Sequence, residues 1–204
     1  MRRVHPMSAR TPDRIRRLVL AAAVLVAAHP ACAGAPLSGK DVTASHLGGV
    51  LGLTDQLGHV RRLEDFRGKA VLLFFGYTRC PDVCPTTLLR MAEVVRQLGP
   101  DGRKVQVLWM TVDPERDTQA LLANYVGAFN PTFLGLRGTL AQTDAVTEAF
   151  KVRYDVTYYK DEVLVSHSAF GYLIDGRGRT RVKIDYEATP EQIAHDVRDV
   201  IDGG

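Results

Sequence analysis

The chain has 204 residues, 46% hydrophobic and 24% charged, which suits one domain with a proper core and no need of disulfide staples. Its formal net charge of +3 is unevenly placed: six arginines and one aspartate precede residue 34, and setting them aside from 26 basic and 23 acidic residues leaves 20 against 22. A slightly acidic body excludes the basic footprint of a nucleic-acid-binding protein.

Residues 1–33 read as a secretory signal peptide. RIRR (14–17) precedes the apolar run LVLAAAVLVAA (18–28), which His29 and Pro30 break. Ala31-Cys32-Ala33 then offers small residues at the two positions a signal peptidase inspects. The run is too short to cross about 30 Å of hydrocarbon as a helix. Cleavage after Ala33 is expected, with export to a periplasmic space. Retention would instead tether the chain to the outer face of the inner membrane. A lipid on Cys32 is disfavoured because His29 and Pro30 stand where small or branched apolar residues are wanted. Residues 34–204 are expected to form a single domain.

Residues 34–48 are mixed and small and read as an irregular arm. VLGLTDQLGHVRRLEDF (50–66) predicts a hairpin turning near Asp55 to Gly58. AVLLFFGYT (70–78) is apolar without alternation, the pattern of a strand buried on both faces. From Thr86, Leu88, Met91, Val94, Val95 and Leu98 recur at helical spacing until Gly99-Pro100. VQVLWMTVD (105–113) is a second buried strand, stopped by Pro114. A helix over Thr118–Phe129, a short strand over 133–138 and a helix over Leu140–Phe150 follow. VRYDVTYYKDEVLVSHSAFGYLID (152–175) holds β-rich stretches around a turn at Lys160-Asp161. Gly176 to Gly178 turns the chain into TRVKIDY, and Thr189-Pro190 opens a last helix as N-cap and first position. Strands alternating with helices predict an α/β domain with at least one parallel crossover.

Removal of the leader takes Cys32 with it and leaves Cys80 and Cys84. Two cysteines four apart close too short a loop to stabilise much as a staple. They sit between a buried strand and a helix start, where unpaired amides and the positive dipole end favour thiolate, and Arg79 adds a charge. On one helix face they can oxidise to a disulfide or clamp a soft metal ion. A metal would need a third ligand. His46 lies in the arm, His59 on the hairpin and His195 in the last helix beside Asp196, and each reads as a surface residue. His167, among small residues in VLVSHSAFGYLID, reads by itself as structural or surface but is the candidate the cysteine pair singles out.

GKAVLLFFGYTRCPDVCPTTL (68–88), TVDPERDT (111–118) and HSAFGYLID (167–175) resemble the SCO/SenC family over roughly residues 45–202. The resemblance implies a thioredoxin-like α/β fold, a central mixed sheet flanked by helices, here with an N-terminal β-hairpin extension. It implies copper as the ion, Cys80 and Cys84 as thiolate ligands and His167 as the imidazole ligand. It further implies delivery of copper to the CuA-bearing subunit of cytochrome c oxidase, or exchange with another copper carrier. Arg79 stands where the family often has histidine, and Ser166 where it commonly has aspartate before the ligand histidine. The second departure removes a partner that would orient the imidazole. Asp113 resembles a recurrent family position and reads first as a turn residue before Pro114, with a supporting role near the metal as the sharper option. Asp82 reads as a water-facing or docking residue, and Phe75 and Tyr77 as core.

A thiol-disulfide oxidoreductase using Cys80 and Cys84 as nucleophile and resolving thiol is the alternative. It is weakened because no proline lies between Pro131 and Pro190, where thioredoxin-like reductases usually face one toward their cysteines. A peroxidase would need threonine three residues before the reactive cysteine, and Tyr77 is there. A copper- or redox-responsive sensing module would use the same ligands.

Overall fold

The computed structural model describes residues 36–160 and 162–203. The leader expected over residues 1–33 lies outside them. Among the described residues, no helix is long and apolar enough to cross a membrane.

In chain order the elements are β1 (Lys40–Asp41), β2 (Leu53–Asp55), β3 (Val60–Arg61), β4 (Ala70–Gly76), α1 (Val83–Leu98) and β5 (Val105–Thr111). There follow α2 (Gln119–Gly127), β6 (Leu134–Arg137), α3 (Leu140–Ala149), β7 (Tyr154–Tyr159) and β8 (Glu162–His167). The chain closes with β9 (Phe170–Ile174), β10 (Thr180–Asp185) and α4 (Pro190–Asp202). The main sheet runs β1-β10-β9-β4-β5-β6-β2-β3. β4, β5 and β6 are parallel, and the other pairings are antiparallel. The order β10-β9-β4-β5, with α1 crossing between the parallel strands β4 and β5 and α4 closing the chain, is the thioredoxin-like arrangement.

Every residue of β4 is buried, as its unbroken apolar run predicts. Leu72 and Phe74 enter one core with Trp109 of β5, Leu88, Met91 and Val94 of α1, and Ile193 and Val197 of α4. Val71, Leu73 and Phe75 enter the other, with Leu108, Met110, Val146, Phe150 and Tyr172. The period of two along a strand sends its side chains to opposite layers, so a strand covered on both faces shows no polar alternation. Each fully buried leucine contributes about 1.5–3 kcal/mol relative to exposure.

Two boundaries differ from expectation. The arm is not wholly irregular: β1 pairs with β10, and the buried Asp196 carboxylate accepts Ser38 N–H at 2.7 Å and Gly39 N–H at 2.8 Å. Small residues without apolar periodicity concealed that anchoring. α1 begins at Val83 rather than Thr86. Pro85 occupies the third helical position, where its missing N–H is an unpaired donor in any helix, so it is tolerated rather than a stop. The expected hairpin is β2-β3, and β2 also pairs with β6, so it forms the edge of the main sheet. β7 and β8 form a separate two-stranded sheet ending at His167.

Candidate metal centre

β4 ends at Gly76, and the chain then turns through Tyr77–Asp82 into α1. Cys80 N–H donates to Tyr77 O at 3.2 Å, which closes that turn. A Cβ on Gly76 would stand 2.6 Å from Cys84 Sγ and 3.0 Å from the Trp109 indole. Only glycine lets the strand pass this close beneath the sulfur. Cys84, in the first turn of α1, is buried, while Cys80 is half-buried, and both are free thiols.

His167, at the end of β8, brings Nε2 to 3.8 Å from Cys84 Sγ. Its Nδ1 is 3.0 Å from Ser168 O. A carbonyl only accepts, so Nδ1 carries the proton of the neutral ring and Nε2 presents its lone pair to Cys84. Ser168 is itself fixed: its N–H donates to Arg153 O at 2.9 Å, and Arg153 N–H donates to its Oγ at 3.0 Å. The orienting partner that the serine at 166 fails to supply is therefore a backbone carbonyl on the other side of His167. Tyr77, expected in the core, is half-buried and meets the His167 ring edge-on at 6.0 Å, forming a wall of the site. Phe75 is core as expected.

Burial lowers the His167 pKa, against the opposing Ser168 hydrogen bond, and so favours neutral imidazole. Burial also pushes the Cys84 thiol up, and the charges of Cys80 and Asp117 add to this. At Cys84 burial works against the thiolate that a helix start is expected to favour, and outweighs the backbone hydrogen bond at Tyr77. The Cys84 amide, in the first turn of the helix, instead faces Cys80 Sγ at 3.5 Å. Cys80 Sγ thus receives the helix-end donor, and Cys84 gives its S–H toward His167.

Among the described residues, no three His, Cys, Asp or Glu side chains already converge in metal-binding geometry. Cys84 and His167 are in contact, and Cys80 lies one turn away. Two soft sulfurs and an imidazole nitrogen fit a soft ion such as Cu(I) by donor type, once Cys80 turns toward the other two. His46 and His59 are exposed elsewhere, and His195 Nδ1 faces Asp196 Oδ1 at 3.1 Å. None of the three approaches the pair.

Asp113 takes the turn role: its carboxylate accepts Arg116 Nε–H at 2.6 Å, and its carbonyl accepts Asp117 N–H at 3.0 Å. Asp82 is exposed. The residue that sequence reasoning missed is Asp117, fully buried, which accepts from Thr78 N–H at 3.0 Å, Thr78 Oγ1 at 2.5 Å and Thr111 Oγ1 at 2.5 Å. It fastens the cysteine turn to the end of β5. Its place inside TVDPERDT was the available signal.

The SCO1/SenC family model matches residues 40–202. The SCO2-like protein of Rickettsia felis is 36% identical over 72% of this chain and 73% of its own length. The mitochondrial SCO2 homolog of Bos taurus is 43% identical over 74% of this chain and 58% of its own. Copper-bound ScoI of Bradyrhizobium japonicum superposes with a TM-score of 0.70 at 40% identity, covering 76% of this chain and 99% of that one. A match spanning the strand–cysteine turn–helix unit, TVDPERDT and the His167 segment together places this chain in the SCO1/SenC family.

Proposed function

We propose that the chain is a copper chaperone that holds one copper ion through Cys80, Cys84 and His167 Nε2 and delivers it to the CuA-bearing subunit of cytochrome c oxidase in the exported, periplasmic compartment. The observation that carries this reading is the 3.8 Å approach of Cys84 Sγ to His167 Nε2, with the opposite ring nitrogen occupied by Ser168 O. The ligand nitrogen is free and aimed. The copper-bound state of the similar Bradyrhizobium japonicum ScoI supports copper as the ion.

Copper here is cargo. Its capture displaces the protons of the cysteine thiols, so binding releases protons. The half-buried Cys80 is the sulfur a partner reaches first, and exchange of that ligand for a partner cysteine is the natural start of transfer. Oxidation of the pair to a disulfide removes both sulfurs as ligands and makes the thiol state a gate.

The test is copper stoichiometry of the reduced chain without residues 1–33, beside Cys80→Ser/Cys84→Ser and His167→Ala. One Cu(I) per chain, lost without the cysteines and weakened without the histidine, supports the proposal. Wild-type binding no greater than that of the cysteine-free variant would sink it. A second reading, thiol-disulfide reduction of partner cysteines, draws on the asymmetry of a half-buried Cys80 and a buried Cys84. In it Cys80 thiolate attacks the partner disulfide and expels one partner thiolate. Cys84 then attacks Cys80 Sγ, releases the second, and leaves the Cys80–Cys84 disulfide.

A further inference from the structure

The cysteine turn and the two-stranded β7-β8 ribbon are both fastened to one short loop, residues 113–117. That loop is held on either side of Glu115: the Arg137 guanidinium donates to Pro114 O at 2.8 Å and to Asp117 O at 3.1 Å. Within it the Asp113 carboxylate accepts Arg116 Nε–H at 2.6 Å. Asp117 grips the cysteine turn through Thr78, accepting its N–H at 3.0 Å and its hydroxyl at 2.5 Å. Glu115 grips the ribbon: the Tyr158 hydroxyl donates to its Oε2 at 2.9 Å, from 43 residues further along the chain.

Alternation along the paired strands puts Tyr154 and Tyr158 of β7 on the same face of the ribbon as Val165 and His167 of β8. Tyr154 stands directly opposite His167 and donates to Asp144 of α3 at 2.6 Å. At that end the ribbon is seated, because Tyr154 and Val165 also pack against the core. Beyond it, among the described residues, Tyr158–Glu115 is the one side-chain hydrogen bond from the ribbon to the body. A two-stranded ribbon is marginal by itself, so its angle to the body depends on such tethers. A phenol on a carboxylate is a charge-assisted bond, stronger than a neutral one.

We propose that Glu115 and Tyr158 are positioning residues: their hydrogen bond ties the ribbon to the loop that also anchors the cysteine turn, and so holds His167 beside Cys84. The inference deepens the reading of His167 as a copper ligand and rests on it for its use. One loop then sets the separation of nitrogen and sulfur, with Asp117 holding the cysteine side and Glu115 the histidine side. Neither residue touches the metal. Loss of the bond frees the ribbon to swing, while the packing of the sheet and the place of Cys84 stay as they are. Tyr158 is 62% exposed, so losing its hydroxyl costs the folded chain little.

Tyr158→Phe and Glu115→Ala remove the bond from either side, and Glu115→Gln keeps an acceptor for the phenol. The reduced, metal-free chain is measured first, by amide hydrogen exchange and by the nuclear Overhauser effect between the Tyr77 and His167 rings, which meet edge-on at 6.0 Å. In Tyr158→Phe and Glu115→Ala, exchange at Val156 and Val165 should be about threefold faster, the size of one partly exposed hydrogen bond, and the ring-to-ring signal weaker. Glu115→Gln should stay near wild type. Exchange in β4 and the denaturant midpoint should not move. Ribbon exchange and ring contact unchanged in both variants overturn the proposal, as does a fall in midpoint with β4 exchange accelerated equally, the mark of a merely structural role.

Cu(I) release to a chromophoric chelator is then timed. It should be about threefold faster in Tyr158→Phe, and the same substitution placed on His167→Ala should add nothing. Equal acceleration with and without the histidine overturns the proposal. Wild type that takes no Cu(I) sinks the copper reading instead, and the metal-free measurements alone then decide whether Glu115 and Tyr158 place His167.

Discussion

Asp117 Oδ1 accepts the hydroxyl proton of Thr78 at 2.5 Å, joining two loops 39 residues apart in the chain. With Thr78 N–H and Thr111 Oγ1 on its other oxygen, this carboxylate sets where the cysteine turn leaves the sheet. Asp117→Ala strands these donors in a buried place. The expected loss is about 2–4 kcal/mol of stability, read from denaturant unfolding, with the isosteric Asp117→Asn losing less.

Gly76→Ala inserts a methyl group 2.6 Å from Cys84 Sγ and 3.0 Å from Trp109. Neither neighbour is a flexible chain end, so the expected cost is about 1–3 kcal/mol from overpacking. Metal affinity should fall together with stability, because the sulfur is what must move. Unchanged chelator competition for Cu(I) in this variant would show that the sulfur has room the geometry denies.

Ser166→Asp restores the carboxylate that the family commonly places before its ligand histidine. Losing such an orienting partner typically costs about 10–100-fold in metal affinity. Here Ser168 O already holds Nδ1 at 3.0 Å, so the substitution should change Cu(I) affinity by less than about threefold. A gain of an order of magnitude would mean that the carbonyl does not do the carboxylate's work.

Asp55 and Asp175 set the acid limit. Burial alone would raise both carboxyls, but it is outweighed at Asp55 by hydrogen bonds from His59 N–H, Arg61 and Leu57 N–H, and at Asp175 by those from Arg179 and Arg177. Both pKa values are therefore lowered in the folded chain. A carboxyl lowered on folding stabilises above its unfolded pKa, about 3.9, and that stability is lost as the pH falls through the folded value. Denaturant midpoints measured from pH 6 downward should hold until about pH 4 and then fall. Asp55→Asn should lower the upper plateau and flatten the fall.

Much of the fold was legible because its strands are buried on both faces. The run at 70–78 needed no partner to declare itself, and Thr189-Pro190 announced α4 by cap chemistry alone. Helix starts were harder: the prolines at 81 and 85 disguised the first turn of α1, since propensity does not distinguish a proline that stops a helix from one that opens it. The arm was hidden for another reason. Its anchor, Asp196, lies 157 residues from Gly39, and nothing local marks a carboxylate that will serve distant amides. At the centre, the residue types and spacing of Cys80, Cys84 and His167 were readable. Which cysteine would be buried, which ring nitrogen would be free and which aspartate would brace the turn depended on tertiary packing.

The β7-β8 hairpin stands apart from the main sheet, with Tyr158, Tyr159 and Leu164 facing outward, and His167 is its last residue. The cysteines belong instead to an eight-stranded slab with a core on each face. The centre is thus a clasp with one jaw set in masonry and the other on a spring. A two-stranded ribbon without further strand neighbours is the least costly part of such a molecule to open. Opening of that ribbon would carry His167 away from Cys84 and leave both sulfurs where they are, a second way to loosen the centre beside ligand exchange at Cys80.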